Sequence, residues 1–125
     1  MTEQPNKPPL LPVIPRLWRA LHWSLSGLRA ALHTEQSFRI ECALLPVITG
    51  LAIGVSDTYW QLATLIGAWL LLLMCELLNS AVEATIDRIG SEHHPLSGRA
   101  KDLGSAAVFI VMVINLLFWT AALLE

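Results

Sequence analysis

Eighteen consecutive residues, Thr58 to Cys75, carry no charged side chain, and twenty-two more, Leu103 to Leu124, repeat the pattern. At 1.5 Å per residue, either run wound as a helix crosses a hydrocarbon layer of about 30 Å. Inside lipid, a helix satisfies every backbone hydrogen bond within its own segment. A third uncharged run, Cys42 to Ser56, is short by itself. It extends back through Phe38 and Ile40, with Arg39 and Glu41 at the interface or facing the bundle. Hydrophobic residues make up 54% of the chain and charged residues 14%, which is too apolar for a soluble domain of this length. The expectation is an all-α membrane protein with three transmembrane helices.

Charge sets the orientation. Lys7, Arg16, Arg19, Arg29, Arg39, Arg88, Arg99 and Lys101 all precede the first span or lie between the second and third. The connection Ser56-Asp57-Thr58 and the C-terminal end carry no basic residue. By the positive-inside rule, the N-terminus and the 88–102 connection are cytoplasmic. Tyr59, Trp60 and Trp119 then fall together at the opposite interface, where aromatic belts sit. The expected location is therefore a cytoplasmic (inner) membrane, crossed several times. A net charge of −2 offers nothing to a nucleic acid.

Residues 1–15 hold five prolines and no apolar core of a cleavable signal, so residues 1–13 read as a disordered tail. From Ile14, apolar residues recur at Leu17, Trp18, Leu21, Leu25, Leu28 and Leu32, the steps of an amphipathic helix. Arg16, Arg19, Ser26, Arg29 and His33 take the other side, as in a helix lying on a membrane surface. The expected boundaries are a surface helix over about 14–33 and spans over about 36–56, 58–87 and 100–124 of one domain, 14–125.

Within the spans, Gly50/Gly54, Ala63/Gly67, Ser80/Ala84 and Ala100/Gly104 are small-residue pairs at the spacing that lets helix backbones approach. Pro46 is tolerated in a membrane helix with a possible kink. Asn115, midway along the third span, reads as an interhelical hydrogen-bonding group. Cys42 and Cys75 lie in apolar runs and read as reduced packing residues.

Glu76, Asn79, Glu83 and Asp87 follow the second uncharged run at spacings of 3, 4 and 4, so they share one helix face. Ionisable groups at such depth are costly and by default mark a functional site. Glu76 and Glu83 are two turns apart, about 10 Å along the axis, which implies two roles. Glu76, nearest the apolar run, is level with a lipid's polar group and could accept a proton from a lipid hydroxyl. Glu83, nearer the cytoplasm, suits a hard divalent cation of the Mg²⁺ type, held by one or two carboxylates plus substrate phosphates. Glu35 could supply the second carboxylate, with Glu41 one to two turns further on. Arg99 and Lys101 are cations suited to polyphosphate, beside Asp102. Phosphoryl transfer asks mainly for positioning and charge neutralisation, yet the chain has no P-loop and no protein-kinase signature. His93 and His94 stand in a solvated loop before Pro95, where they could brush a nucleotide. Other readings of the polar face are helix glue, for which three carboxylates without matching cations on the same helix are poorly suited, and ion or proton conduction.

The stretch Glu76-Leu-Leu-Asn79-Ser-Ala-Val-Glu83-Ala-Thr-Ile-Asp87 resembles the Glu-x-x-Asn-Ser/Thr-Ala-Ile/Val-Glu-x-x-x-Asp signature of the prokaryotic diacylglycerol kinases, small membrane-embedded lipid kinases. The resemblance continues through Arg88 to Glu92 and Leu96 to Ala107. Upstream it covers Gly27 to Ala31 and Glu35, Phe38 and Glu41. It implies ATP-dependent phosphorylation of 1,2-diacylglycerol to phosphatidate by a homotrimer of three spans and a surface helix, with sites built between subunits. Glu76 then matches the general base, supported by Asn79, and Glu35 and Glu83 match the Mg²⁺ carboxylates. Arg16, Glu92, His94, Lys101 and Asp102 fall at nucleotide-contacting positions beside Glu35 and Glu83. Trp23 and His93, also at nucleotide-binding positions by this resemblance, stand where the family commonly has Tyr. Arg16 and Ser105 fall near the lipid, and Glu41 and Asp87 are supporting groups. Ser26 replaces a frequent Lys, and Gln36-Ser37 replaces a common Ala. The runner-up within the family is undecaprenol kinase; outside it, a non-catalytic membrane assembly subunit.

Overall fold

A computed structural model describes residues 13–90 and 92–124. The proline-rich tail expected over 1–13 lies outside them, except for Val13. Four α-helices account for nearly all described residues: α1 Val13–Thr34, α2 Gln36–Val55, α3 Tyr59–Ile89 and α4 Pro95–Leu124. The chain divides into two units, 1–30 and 31–125. The described part of the first is α1 up to Ala30, with Leu17, Trp18, Leu21 and Leu25 exposed.

In the second unit α3 is the central element and packs against both α2 and α4. The helices α3 and α4 run antiparallel. Asp87 meets Lys101 at one end, Ala68 meets Asn115 midway, and Trp60 and Phe118 line one cavity at the other end. Two small apolar clusters hold the unit together. Ala31, Phe38 and Leu73 form the first, edged by Cys42 and Leu45. Leu72, Val108 and Val111 form the second, edged by Leu71 and Cys75. Trp69 packs against both clusters. The two cysteines are unpaired and fill gaps at the cluster edges, as their apolar surroundings suggested.

Most of the large apolar surface points outward, including Leu44, Val47, Leu70, Ile110 and Leu116. Such a surface is unfavourable in water and unremarkable in lipid, since lipid tails are as apolar as leucine. The helices α2, α3 and α4 are each long and apolar enough to cross a membrane.

Local chemistry sets the helix ends. Thr58 caps α3 through a reciprocal box: its hydroxyl accepts from Gln61 N–H at 3.1 Å, and Gln61 Oε1 accepts from Thr58 N–H at 3.2 Å. Asp57 N–H donates to the same Oε1 at 2.8 Å, so Gln61 closes the short α2–α3 turn. The helix α4 starts at Pro95, earlier than the uncharged run alone indicates, because proline fits the first helical position. His94 precedes it as the cap, its Nδ1 accepting from Leu96 N–H at 3.2 Å and its carbonyl from Gly98 N–H at 3.1 Å. Arg99, Lys101 and Asp102 are thus helical rather than part of a loop.

Asn115 is buried at 7% exposure and bridges the two helices, its Nδ2 donating to Ala68 O at 2.9 Å and to Val111 O at 3.0 Å. This is the interhelical role its position in the third span suggested. Pro46 lies inside α2, where its missing N–H cannot serve the Cys42 carbonyl.

Candidate active site

The 3- and 4-residue spacing on α3 does place Glu76, Asn79, Glu83 and Asp87 along one side of a continuous helix. Each meets a partner. Asn79 Nδ2 donates to Glu83 Oε1 at 3.0 Å, an i to i+4 bond that ties two members of the row. Asp87 accepts from Lys101 Nζ at 2.7 Å, bringing α4 onto the end of the row. That ion pair is open to solvent, with side-chain exposures of 40% for Lys101 and 67% for Asp87, so its net contribution to stability is small. Lys101 is also within electrostatic range of Glu83.

At the other end of the row, the Glu76 carboxyl lies within hydrogen-bonding reach of Glu41 from α2. The backbone of Glu41 is held in turn, because Trp69 Nε1 donates to its carbonyl at 3.2 Å. Glu41 therefore faces the bundle, and one of its carboxyl oxygens, Oε2, is buried without a hydrogen-bond partner among the described residues. Glu83 and Glu35 also act electrostatically on Glu76.

Glu35 is the single extended residue between α1 and α2. Its carboxylate makes no cap bond to the helix it precedes, and accepts from the Thr34 hydroxyl at 3.0 Å instead. Its backbone N–H donates to Ala31 O at 2.8 Å, which fixes the break in place.

The other sequence-derived candidates are more dispersed. Arg16 and Trp23 lie on α1 within the first unit, both exposed. Glu92, His93 and His94 occupy the α3–α4 connection, and Asp102 and Ser105 sit on α4, all exposed. No hydrogen bond or ion pair among the described residues ties these five to the row. Sequence reasoning missed the support given by Trp69 to Glu41. It also missed the approach of Gly104 to Asn79, where a Cβ would run into the Asn79 amide. The Ala100/Gly104 spacing was the available signal for the second; nothing in sequence signalled the first.

The donor set available to a metal ion consists of carboxylate oxygens, chiefly Glu83 and Glu35, which are hard ligands. Among the described residues, no three His, Cys, Asp or Glu side chains converge into a closed metal cage. Hard carboxylate donors suit a cation of the Mg²⁺ type, which takes much of its shell from phosphates and water.

The fold and the row together define an all-helical membrane protein with a carboxylate-rich face at one end of its central span. A family model described as prokaryotic diacylglycerol kinase matches residues 22–123. The chain is 46% identical over 97 residues to a diacylglycerol kinase of Haemophilus influenzae, covering 78% of this chain and 82% of that one. It is 45% identical over 106 residues to a diacylglycerol kinase of Escherichia coli strain K12 (83% and 85% covered). A diacylglycerol kinase of Pseudomonas aeruginosa is 41% identical over 109 residues (87% and 89% covered). The chain belongs to the prokaryotic diacylglycerol kinase family.

Proposed function

We infer that the protein transfers the γ-phosphoryl group of ATP to the free hydroxyl of 1,2-diacylglycerol, giving phosphatidate. Family membership supports the reaction. The observation that carries the placement of the chemistry is the row itself: Glu76 at the end of the uncharged run, and Asp87, about three helical turns further along, paired with Lys101 at 2.7 Å.

The lipid enters from the bilayer beside α3, and the nucleotide docks from the aqueous side. Glu76 accepts the hydroxyl proton as the lipid oxygen bonds to the γ-phosphorus and the bond to the β–γ bridging oxygen breaks, releasing ADP. Asn79 holds Glu83 beside this site. Lys101 lies where it can turn from Asp87 to a phosphate. Glu35 and Glu83 would hold Mg²⁺, which when bound neutralises phosphate charge. Arg16, Trp23, Glu92, His93, His94 and Asp102 serve the nucleotide, and Arg16 and Ser105 the lipid. The same reading gives a homotrimer in the bacterial inner membrane, with a cytoplasmic N-terminus and α1 lying on the membrane surface. Exposed apolar flanks on every span and the basic residues before α2 and around the α3–α4 connection support it.

The test is transfer of labelled γ-phosphate from Mg-ATP by the purified protein, with diacylglycerol and undecaprenol offered in parallel mixed micelles. Preference for diacylglycerol is expected. Preference for undecaprenol would change the acceptor and keep the mechanism; no transfer from demonstrably folded protein would overturn the reading. Light scattering of the detergent-solubilised protein should give three chains per particle.

A further inference from the structure

Gly104 stands apart from the other glycines. A Cβ placed on Gly27, Gly50, Gly54, Gly67 or Gly98 meets nothing within 4 Å, and one on Gly90 only just reaches Glu92 N at 4.0 Å. A Cβ on Gly104 would overlap Asn79 Oδ1 and stand 3.2 Å from Asn79 Cγ. In the native chain a Cα hydrogen occupies that direction, so Oδ1 faces a Cα–H group, at most a weak donor. Oδ1 is buried and has no other hydrogen-bond partner among the described residues. The amide is thus fixed at two ends: Nδ2 by its 3.0 Å bond to Glu83, and Oδ1 by the notch that α4 leaves at Gly104.

We propose that Gly104 is a positioning residue for the phosphoryl-transfer site, its missing side chain forming the socket that aims Asn79 at Glu83. The proposal rests on the roles assigned above to Asn79 and Glu83. An amide is a rigid plane, so an Oδ1 displaced by a methyl group carries Nδ2 with it and breaks the bond to Glu83. The displaced atom is the tip of a side chain rather than backbone. The cost therefore falls on the direction of the amide and leaves the helix packing largely intact. Alanine also favours the helical state over glycine, which further protects the fold of α4. Loss of function without loss of fold is the signature.

The test combines Gly104→Ala and Asn79→Ala. With the amide gone, the nearest remaining atom of residue 79 to a Cβ at 104 is Cα, 3.7 Å away, an ordinary van der Waals separation. Gly104→Ala alone should fold, lower kcat about tenfold to a hundredfold, the range expected of a misplaced catalytic group, raise the KM for nucleotide, and leave the KM for diacylglycerol unchanged. Added to Asn79→Ala, it should reduce neither the residual turnover nor the thermal midpoint further, because both changes act through one group. Wild-type kinetics for Gly104→Ala, or losses that multiply in the double variant, would overturn the proposal. So would a Gly104→Ala protein that does not fold and is not restored by removing the Asn79 amide. Should Asn79→Ala alone keep wild-type turnover, the roles of Asn79 and Glu83 fail and this inference fails with them. A damaged Asn79→Ala beside an undamaged Gly104→Ala would sink the inference alone.

Discussion

Asn115 offers a prediction whose size the structure bounds. Its Nδ2 makes one bond across to α3, to Ala68 O at 2.9 Å, and one within α4, to Val111 O at 3.0 Å. Its Oδ1 is buried with no hydrogen-bond partner among the described residues. Both acceptors are helix carbonyls already engaged in their own ladders, so removing the amide orphans nothing. In Asn115→Ala, the lost interhelical bond costs about 0.6 kcal/mol and at most about 1.7. The void adds about 1 kcal/mol. Relief of the unsatisfied Oδ1 returns about 1–3 kcal/mol. The net change should lie within about 2 kcal/mol of zero. Asn115→Asp has nearly the same shape and the opposite consequence, since it sets an acceptor against two carbonyls at mid-span. That change should cost about 3 kcal/mol or more. Unfolding of each variant by sodium dodecyl sulfate in mixed micelles, followed by tryptophan fluorescence, gives the comparison. An alanine variant destabilised by more than about 3 kcal/mol, or an aspartate variant as stable as the alanine one, would refute the reasoning.

Three further outcomes follow from the site and the turns. Glu76→Gln keeps the shape and loses the base, so turnover should fall by about 10²–10⁴ while the unfolding midpoint is retained; near wild-type turnover would remove Glu76 from the base role. Lys101→Ala should raise the KM for ATP, and Mg-ATP should protect Lys101 of the native protein from amine labelling; mass spectrometry of the labelled protein reads the second effect directly. Thr58→Ala removes the hydroxyl that caps α3 and should cost about 1 kcal/mol of stability with kinetic constants unchanged, since Thr58 lies at the end of α3 opposite Asp87.

Much of this architecture was legible because lipid imposes simple rules. Uncharged runs of eighteen and twenty-two residues leave few alternatives to spanning helices. The row from Glu76 to Asp87 was legible for a related reason, since helical spacing alone puts its members on one side of α3. The start of α4 was harder. Pro95 ends helices as often as it opens them, and only the bond from Leu96 N–H to His94 Nδ1 shows which applies. Contacts between helices were hidden altogether. Asp87 and Lys101 are fourteen residues apart across a turn, and Trp69 and Glu41 are twenty-eight apart. The small-residue pairs show why. Gly50, Gly54 and Gly67 carry the same spacing signal as Gly104, yet among the described residues only Gly104 meets a neighbouring helix at close range. Spacing tells that a backbone could be approached; the register of two helices decides whether it is.

The unbroken length of α3 has a mechanical consequence. Its 31 residues make a rod of about 46 Å, against a hydrocarbon layer of about 30 Å. In the topology proposed above, one unbroken element begins at the far interface and ends in the aqueous phase, with Glu76 at a height set by the apolar length before it. The protein carries its own depth gauge. A bilayer with longer acyl chains raises the oily boundary along this rod, and one with shorter chains lowers it, at a cost of fractions of a kcal/mol per Å. With Glu76 in the base role proposed above, carboxylate and lipid hydroxyl are matched in only one range of thickness, so the composition of the surrounding membrane becomes a variable in the rate of a reaction carried out on its own lipids.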